Sequence, residues 1–180
     1  MVASASVTRG AWTLAAAIAA GFIIILAFHG ERPAGGLARF EAAGLLLRWP
    51  VAEMSEVDLE VGTDRRSYRR DRGQWRRDGA NVSTDLHERI ELGLRLLHNS
   101  RPERIIHADE FGDRALADFG LVPPRLSVTV RTSRSESATV HFGGVNPLGL
   151  ARYARVEGND DVVLLPAFVA EAWERVAEGR

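Results

Sequence analysis

The chain contains no cysteine, which removes disulfides, thiol nucleophiles and thiolate metal sites. It also contains no lysine, so all 23 basic residues are arginines. That uniformity reads as a compositional bias of the source genome, and it allows any basic contact to be a planar fork. Charge of one sign is lacking too: the formal net charge of −1 gives no global argument for nucleic acid. No HExxH, GxSxG, GxGxxG or Walker sequence occurs, which leaves the common zinc, serine-hydrolase and phosphate-cradle arrangements without a signature.

The histidines are His29, His87, His98, His107 and His141, and no two lie three or four residues apart. His87 and His98 would share a helical face, but three turns separate them by ~16 Å, too far to grip one ion. They read as surface or cap residues. His107, Asp109, Glu110 and Asp113 cluster where a helix starts, a place where carboxylates suit the helix dipole. A hydrolase built on them would require His107, Asp109 and Asp113 to converge in a cleft. The sequence therefore assigns no catalytic residue, no metal and no cofactor.

What the chain does have is a long apolar run. Ala11 to Phe28 is eighteen residues without a charge. At about 1.5 Å per residue it is long enough to cross most of a ~30 Å hydrocarbon core. A signal peptide has a shorter apolar stretch of about 7–15 residues and a small-x-small cleavage site. Phe28-His29-Gly30-Glu31 is not such a site, although a later cut near Ala34 or Ala38 is the alternative. The run is read as an uncleaved single transmembrane helix. The acid-free leader with Arg9 favours a cytoplasmic N-terminus, which places the domain that follows in the periplasm of a bacterial inner-membrane protein.

After the breakers of Gly30–Gly36, Leu37–Trp49 carries apolar residues at helical spacing and ends before Pro50. It reads either as the first helix of the domain or as an amphipathic segment on the membrane or a partner, with Trp49 at the interface. The organisation expected is thus a tail over 1–10, an anchor over 11–28, a linker and juxtamembrane helix over 29–50, and a globular domain over 51–180.

Within that domain the period changes to two. Val57, Leu59 and Val61 alternate with polar residues, and Arg66–Arg70 and Gln74–Arg77 follow glycine-containing turns, which predicts a small antiparallel meander. Seven arginines lie between Arg65 and Arg77, read as a solvated strand face or as a surface for anionic lipid or an acidic partner. A helix is predicted to about His98, with caps offered by Ser83–Asp85 and a capping-box spacing between Asp85 and Glu88. Glu103–Ile106 reads as a short extended stretch entering the core through Ile105 and Ile106, and Asp109–Phe119 as a second helix capped by Gly120. Strands are predicted around Leu126–Val130, Ala138–Phe142, Ala151–Val156 and Val162–Leu165, with Gly143–Gly149 a loop. Pro166 opens a last helix with Phe168, Ala172, Trp173 and Val176 on its apolar side. A meander followed by a helix is used twice, a weak internal echo. Antiparallel meanders with segregated helices predict an α+β fold.

Several pieces resemble a poorly characterised bacterial domain-of-unknown-function family. They are Gln74-Trp75, Ala117-Asp118-Phe119-Gly120-Leu121 followed by Pro123-Pro124, the strand Leu126–Val130, Val140-His141-Phe142-Gly143-Gly144, Tyr153-Ala154-Arg155-Val156 and Val162–Leu165. The resemblance covers roughly residues 55–175. It implies a membrane-anchored protein, some relatives being encoded beside gliding-motility-type ABC transporter components, and it brings no catalytic residue with it.

The function expected is a non-catalytic, single-pass membrane protein that presents an α+β module to another membrane protein or complex. An accessory subunit of a transporter is one such role. The contacts expected with bilayer or partner are Trp12, Phe40, Leu47, Trp49, Arg66 and Arg70. The alternative is a ligand- or glycan-binding module using Gly143, Gly144, Arg152, Tyr153 and Arg155. No nucleic acid is expected as a partner.

Overall fold

The computed structural model describes residues 49–111 and 116–179. The expected anchor, the juxtamembrane segment up to residue 48 and the proposed contacts Trp12, Phe40 and Leu47 lie outside the described residues. Among the described residues, no helix is long and apolar enough to cross a membrane.

Among the described residues, nine strands form one antiparallel sheet. In chain order they are β1 (Met54–Val61), β2 (Asp64–Asp71), β3 (Gln74–Arg77), β4 (Ala80–Asn81), β5 (Arg104–Ile106), β6 (Leu126–Thr132), β7 (Ser137–Val145), β8 (Ala151–Val156) and β9 (Val162–Pro166). Across the sheet the order is β4-β3-β2-β1-β6-β7-β8-β9-β5. The α-helices among the described residues are α1 (Thr84–Asn99), the single turn α2 (Ala108–Phe111) and α3 (Ala167–Glu178). The α+β expectation holds. So does the echo: β1–β4 with α1 and β6–β9 with α3 are two copies of one order of elements, joined where β1 pairs with β6.

Period-two alternation builds the core. Val57 and Leu59 on β1 lie beside Val130 and Val128 on β6, and Val128 lies beside Val140 on β7. These side chains share one face with Tyr68, Phe142, Ala154 and Leu165, and all are buried. The apolar stripes of α1 (Leu86, Ile90, Leu94, Leu97) and α3 (Val169, Trp173, Val176) belong to the same core cluster. The two helices approach closely because Gly93 of α1 has no side chain: a Cβ there would sit 2.8 Å from the Trp173 ring.

Several local expectations are corrected. Ser83 caps α1, its Oγ accepting from the Leu86 amide at 3.3 Å, while Asp85 pairs with Arg89 one turn on; the Asp85–Glu88 box does not form the cap. Ile105 does not enter the core, because β5 is the edge strand and leaves it 46% exposed. Gly143-Gly144 is no loop: β7 runs through to Val145 with a register shift between Phe142 and Val145, an extra residue that bends the strand. Described parts of the expected second helix are the turn α2 and a 3-10 turn over Leu116–Phe119. Gly120 does follow in the left-handed region, at φ +68°. Phe168 is on the outer side of α3 rather than its apolar side.

Candidate functional site

With the helices' apolar stripes packed on one face of the sheet, the opposite face carries its polar side chains. Glu56, Asp58 and Glu60 of β1 alternate with the core residues and so point to this face. In register they lie beside Arg69, Ser67 and Arg65 of β2 and beside Arg131, Thr129 and Ser127 of β6. The result is a lattice of charge-assisted bonds. Arg69 Nε donates to Glu56 at 2.9 Å, Arg131 donates to Asp58 at 2.8 Å, and Arg65 donates to Asp58 at 3.2 Å.

Asp58 is the centre of that lattice and is nearly covered, its side chain 9% exposed. Burial pushes its pKa up, but hydrogen bonds from Ser67, Arg131 and Arg65 outweigh burial and hold the carboxyl below the usual carboxylate range. Arg131 is correspondingly pushed up by its hydrogen bond to Asp58. Further along the face Thr129 meets Thr139 at 3.0 Å, and Ser127 Oγ meets His141 Nδ1 at 2.9 Å. A cleft of about 480 Å³ opens over the first meander, with Glu56, Asp58, Arg69 and Arg76 among its lining. Its carboxylates are matched by arginines, Asp71 by Arg76 at 2.9 Å for example. The face is therefore an alternating charge pattern, tied together at Asp58, rather than a field of one sign.

The five residues expected to bind a ligand are divided between the two faces. Tyr153 and Arg155 of β8 are on the polar face, where Arg155 lies beside His141. Arg155 is bound to the Asn159 carbonyl at 2.6 Å and to Asp160 at 2.9 Å. Arg152 is on the other face, buried, with its guanidinium 3.0 Å from Glu174 of α3 and donating to the Gly143 carbonyl at 3.4 Å. Gly143 is a packing position. A Cβ there would overlap the Phe119 carbonyl oxygen, and one on Gly120 would lie 2.8 Å from the Gly144 amide. The turn that follows the 3-10 segment thus seats directly on β7. It carries Phe119 onto Tyr153 (ring centroids 4.9 Å apart), and Phe111 meets Phe119 edge-on at 5.6 Å.

Arg66 and Arg70, expected as outward contacts, point to the helix side. Arg66 donates to the Ala177 and Gly179 carbonyls at the end of α3, the terminus where a helix dipole favours a cation. Arg70 stacks over Trp75 at 4.7 Å, donates to the Val51 carbonyl at 3.1 Å and pairs with Glu91 of α1, which also accepts from Trp75 Nε1 at 2.7 Å. The signal was present in β2: Tyr68 is its apolar residue, and residues two away on either side share its face. Trp49 packs against the core cluster. His107 pairs with Asp161 at 3.2 Å, a residue the sequence did not single out, while Asp113 lies outside the described residues. Glu110, held acidic by the His107 backbone amide and by Arg104, serves the local turn. Among the described residues no group of three or more His, Asp or Glu is placed to hold a metal ion.

Residues 78–178 match the model of a family described as a domain of unknown function, DUF4340. That span is more than half of the chain but begins after β3, so the central strand β1 and Gln74-Trp75 fall outside it although they belong to the same sheet. No curated protein and no solved structure matches the chain.

Proposed function

The chain belongs to the DUF4340 family, and on that premise we propose that it is a non-catalytic module, anchored by Ala11–Phe28, that assembles with a membrane protein complex through the polar face of its sheet. A transporter is the complex the family resemblance suggests, with this chain as an accessory subunit.

The observation that carries the reading is the packing of α1 and α3 on the same face of the sheet. A sheet with its two long helices on one face leaves most of the second face open, and here that face is patterned with ion pairs. Arg69, Glu56, Arg131 and Asp58 are fixed relative to one another by mutual bonds. Preformed charge patterns confer specificity and register on a partner at little ordering cost. A net charge of only −1 fits a protein partner better than a polyanion.

The test is made on the full chain in native membranes solubilised with a mild detergent. The expected result is comigration with a larger complex that is lost in Arg69→Glu, on the polar face, and kept in Arg95→Glu, on the exposed side of α1. A monomeric wild-type chain, or equal loss in both variants, would overturn it. The ligand-binding reading retains one supporting feature, the Phe111–Phe119–Tyr153 cluster near Arg155, since aromatic faces beside a guanidinium suit a sugar. Saturable, Tyr153-dependent binding to an oligosaccharide array would favour it.

A further inference from the structure

One end of the sheet gathers exposed apolar side chains, beside a groove where Val61 lies among Asp64, Arg66, Arg125 and Glu174. The β1–β2 turn, the connection into β6, the β7–β8 hairpin and the start of α3 all meet there, as the registers of β1, β6, β7, β8 and β9 require. Val61, Val122, Val145, Leu148, Leu150 and Phe168 are all at this end and all substantially exposed. Leu148 and Leu150 are extreme, at 78% and 70%. Leu150 and Phe168 belong to one patch, because the Ala167 amide donates to the Leu150 carbonyl at 3.0 Å.

The hairpin holds these side chains out by construction. Asn146 Oδ1 accepts from the Leu150 and Ala151 amides at 3.0 and 3.1 Å. Its backbone amide donates to the Ala151 carbonyl, its carbonyl accepts from Gly149, and Gly149 takes φ +75°. Residues 145–150 carry no charge, nor do residues 166–170 of the adjoining helix start. A tight turn that fixes two leucines in water is a cost to solubility unless something apolar receives them.

We propose that this end dips into the interfacial region of the lipid bilayer, with Leu148, Leu150 and Phe168 as the inserting side chains. The inference rests on the anchored reading of Ala11–Phe28. Apolar side chains on an uncharged turn bury favourably at the boundary of headgroups and acyl chains, and an anchor in the same chain holds that boundary within reach. The tether permits it. Trp49 enters at the opposite end of β1, about 25 Å away for an eight-residue strand. Even with Leu37–Arg48 helical, as its sequence spacing suggests, the stretch from His29 to Arg48 reaches ~45 Å. Insertion would also fix the orientation of the polar face relative to the membrane, so the two proposals concern different surfaces.

Because the chain has no cysteine, single-cysteine variants of the full protein can be labelled cleanly. An environment-sensitive fluorophore is placed at Leu148→Cys, at Ser133→Cys in the turn at the other end of β7, or at Ala19→Cys in the apolar run. The proteins are reconstituted in phosphatidylcholine–phosphatidylglycerol vesicles with lipid nitroxides near the headgroup or deep in the chains. The label at 148 should be quenched by the shallow nitroxide about threefold more than the label at 133, and Leu150→Ser with Phe168→Ser should remove the difference. Equal quenching at 148 and 133, with the label at 19 quenched by the deep nitroxide, would overturn insertion and leave the anchor standing. A label at 19 untouched by the deep nitroxide would instead remove the anchored reading, and position 148 would still decide insertion. A photo-crosslinking side chain at position 150 in native membranes should yield lipid adducts; an adduct to a second protein would overturn the inference.

Discussion

Gly143→Ala isolates the contact between the Leu116–Gly120 turn and β7. The wild-type glycine lies under the Phe119 carbonyl oxygen, a backbone atom that has no rotamer by which to move aside. A methyl group there must displace the Leu116–Gly120 turn or β7 itself. Overpacking of this kind costs about 1–3 kcal/mol. Shifting the turn also weakens the Phe119–Tyr153 stacking, worth about 0.5–1.5 kcal/mol. Reduced freedom of the unfolded chain offsets about 0.4–1 kcal/mol. The net is a destabilisation of about 2 kcal/mol. For a chain of this size that is a fall of roughly 4–8 °C in melting temperature.

The neighbouring glycine supplies the control. A Cβ on Gly144 would meet its nearest atom at 3.5 Å, ordinary contact, so Gly144→Ala should change stability by no more than about 0.5 kcal/mol. Melting is followed by tryptophan fluorescence of the full chain in detergent, since Trp75 and Trp173 are completely buried and report loss of the core. Equal effects at the two positions, or none at Gly143, would refute the argument that a backbone collision explains the glycine.

Glu91→Ala leaves the Arg70 cation and the Trp75 indole N–H without their shared acceptor and should cost about 2–3 kcal/mol. Glu91→Gln should recover part of this, and the same melts would read both. The lowered pKa of Asp58 stabilises the fold above the ordinary aspartate value near 4, and that contribution is lost as the pH falls through the depressed folded value. Asp58→Asn should therefore be less stable at pH 7, with the gap to wild type narrowing below about pH 4; melting curves that stay parallel with pH would contradict the assignment. Ser83→Ala removes the cap of α1 and should cost about 1 kcal/mol, measurable by denaturant midpoint at unchanged slope.

Much of the architecture was legible because it rests on local periodicity. Alternation in Val57–Leu59 and Leu126–Val130, and the helical stripe through Leu86, Ile90, Leu94 and Leu97, assign core faces without knowledge of any partner element, although Val61, at the end of β1, is exposed. Arg66 and Arg70 could have been read from the same rule, since they share the face of Tyr68. Arginines next to a turn suggested solvent, yet their long stems and forked donors let them reach helix carbonyls and Glu91 from the core side. Arg152 followed the same course. The Gly143-Gly144 pair suggested a loop because glycine is the common turn residue, whereas its role here is close backbone approach to a segment more than twenty residues earlier.

The sequence by itself determined the class of fold, the repeated meander-and-helix order, the positions of nearly all strands and the left-handed Gly120. Each depends on interactions among neighbours within a few residues, which a linear pattern records. Tertiary structure decided the pairing of β1 with β6, about seventy residues away, and with it the single nine-stranded sheet. It also decided which carboxylate meets which arginine and which end of the sheet gathers the exposed leucines. Those outcomes depend on register and chain path in three dimensions, and many equivalent arginines and acids along the chain carry no local mark that selects one partner over another.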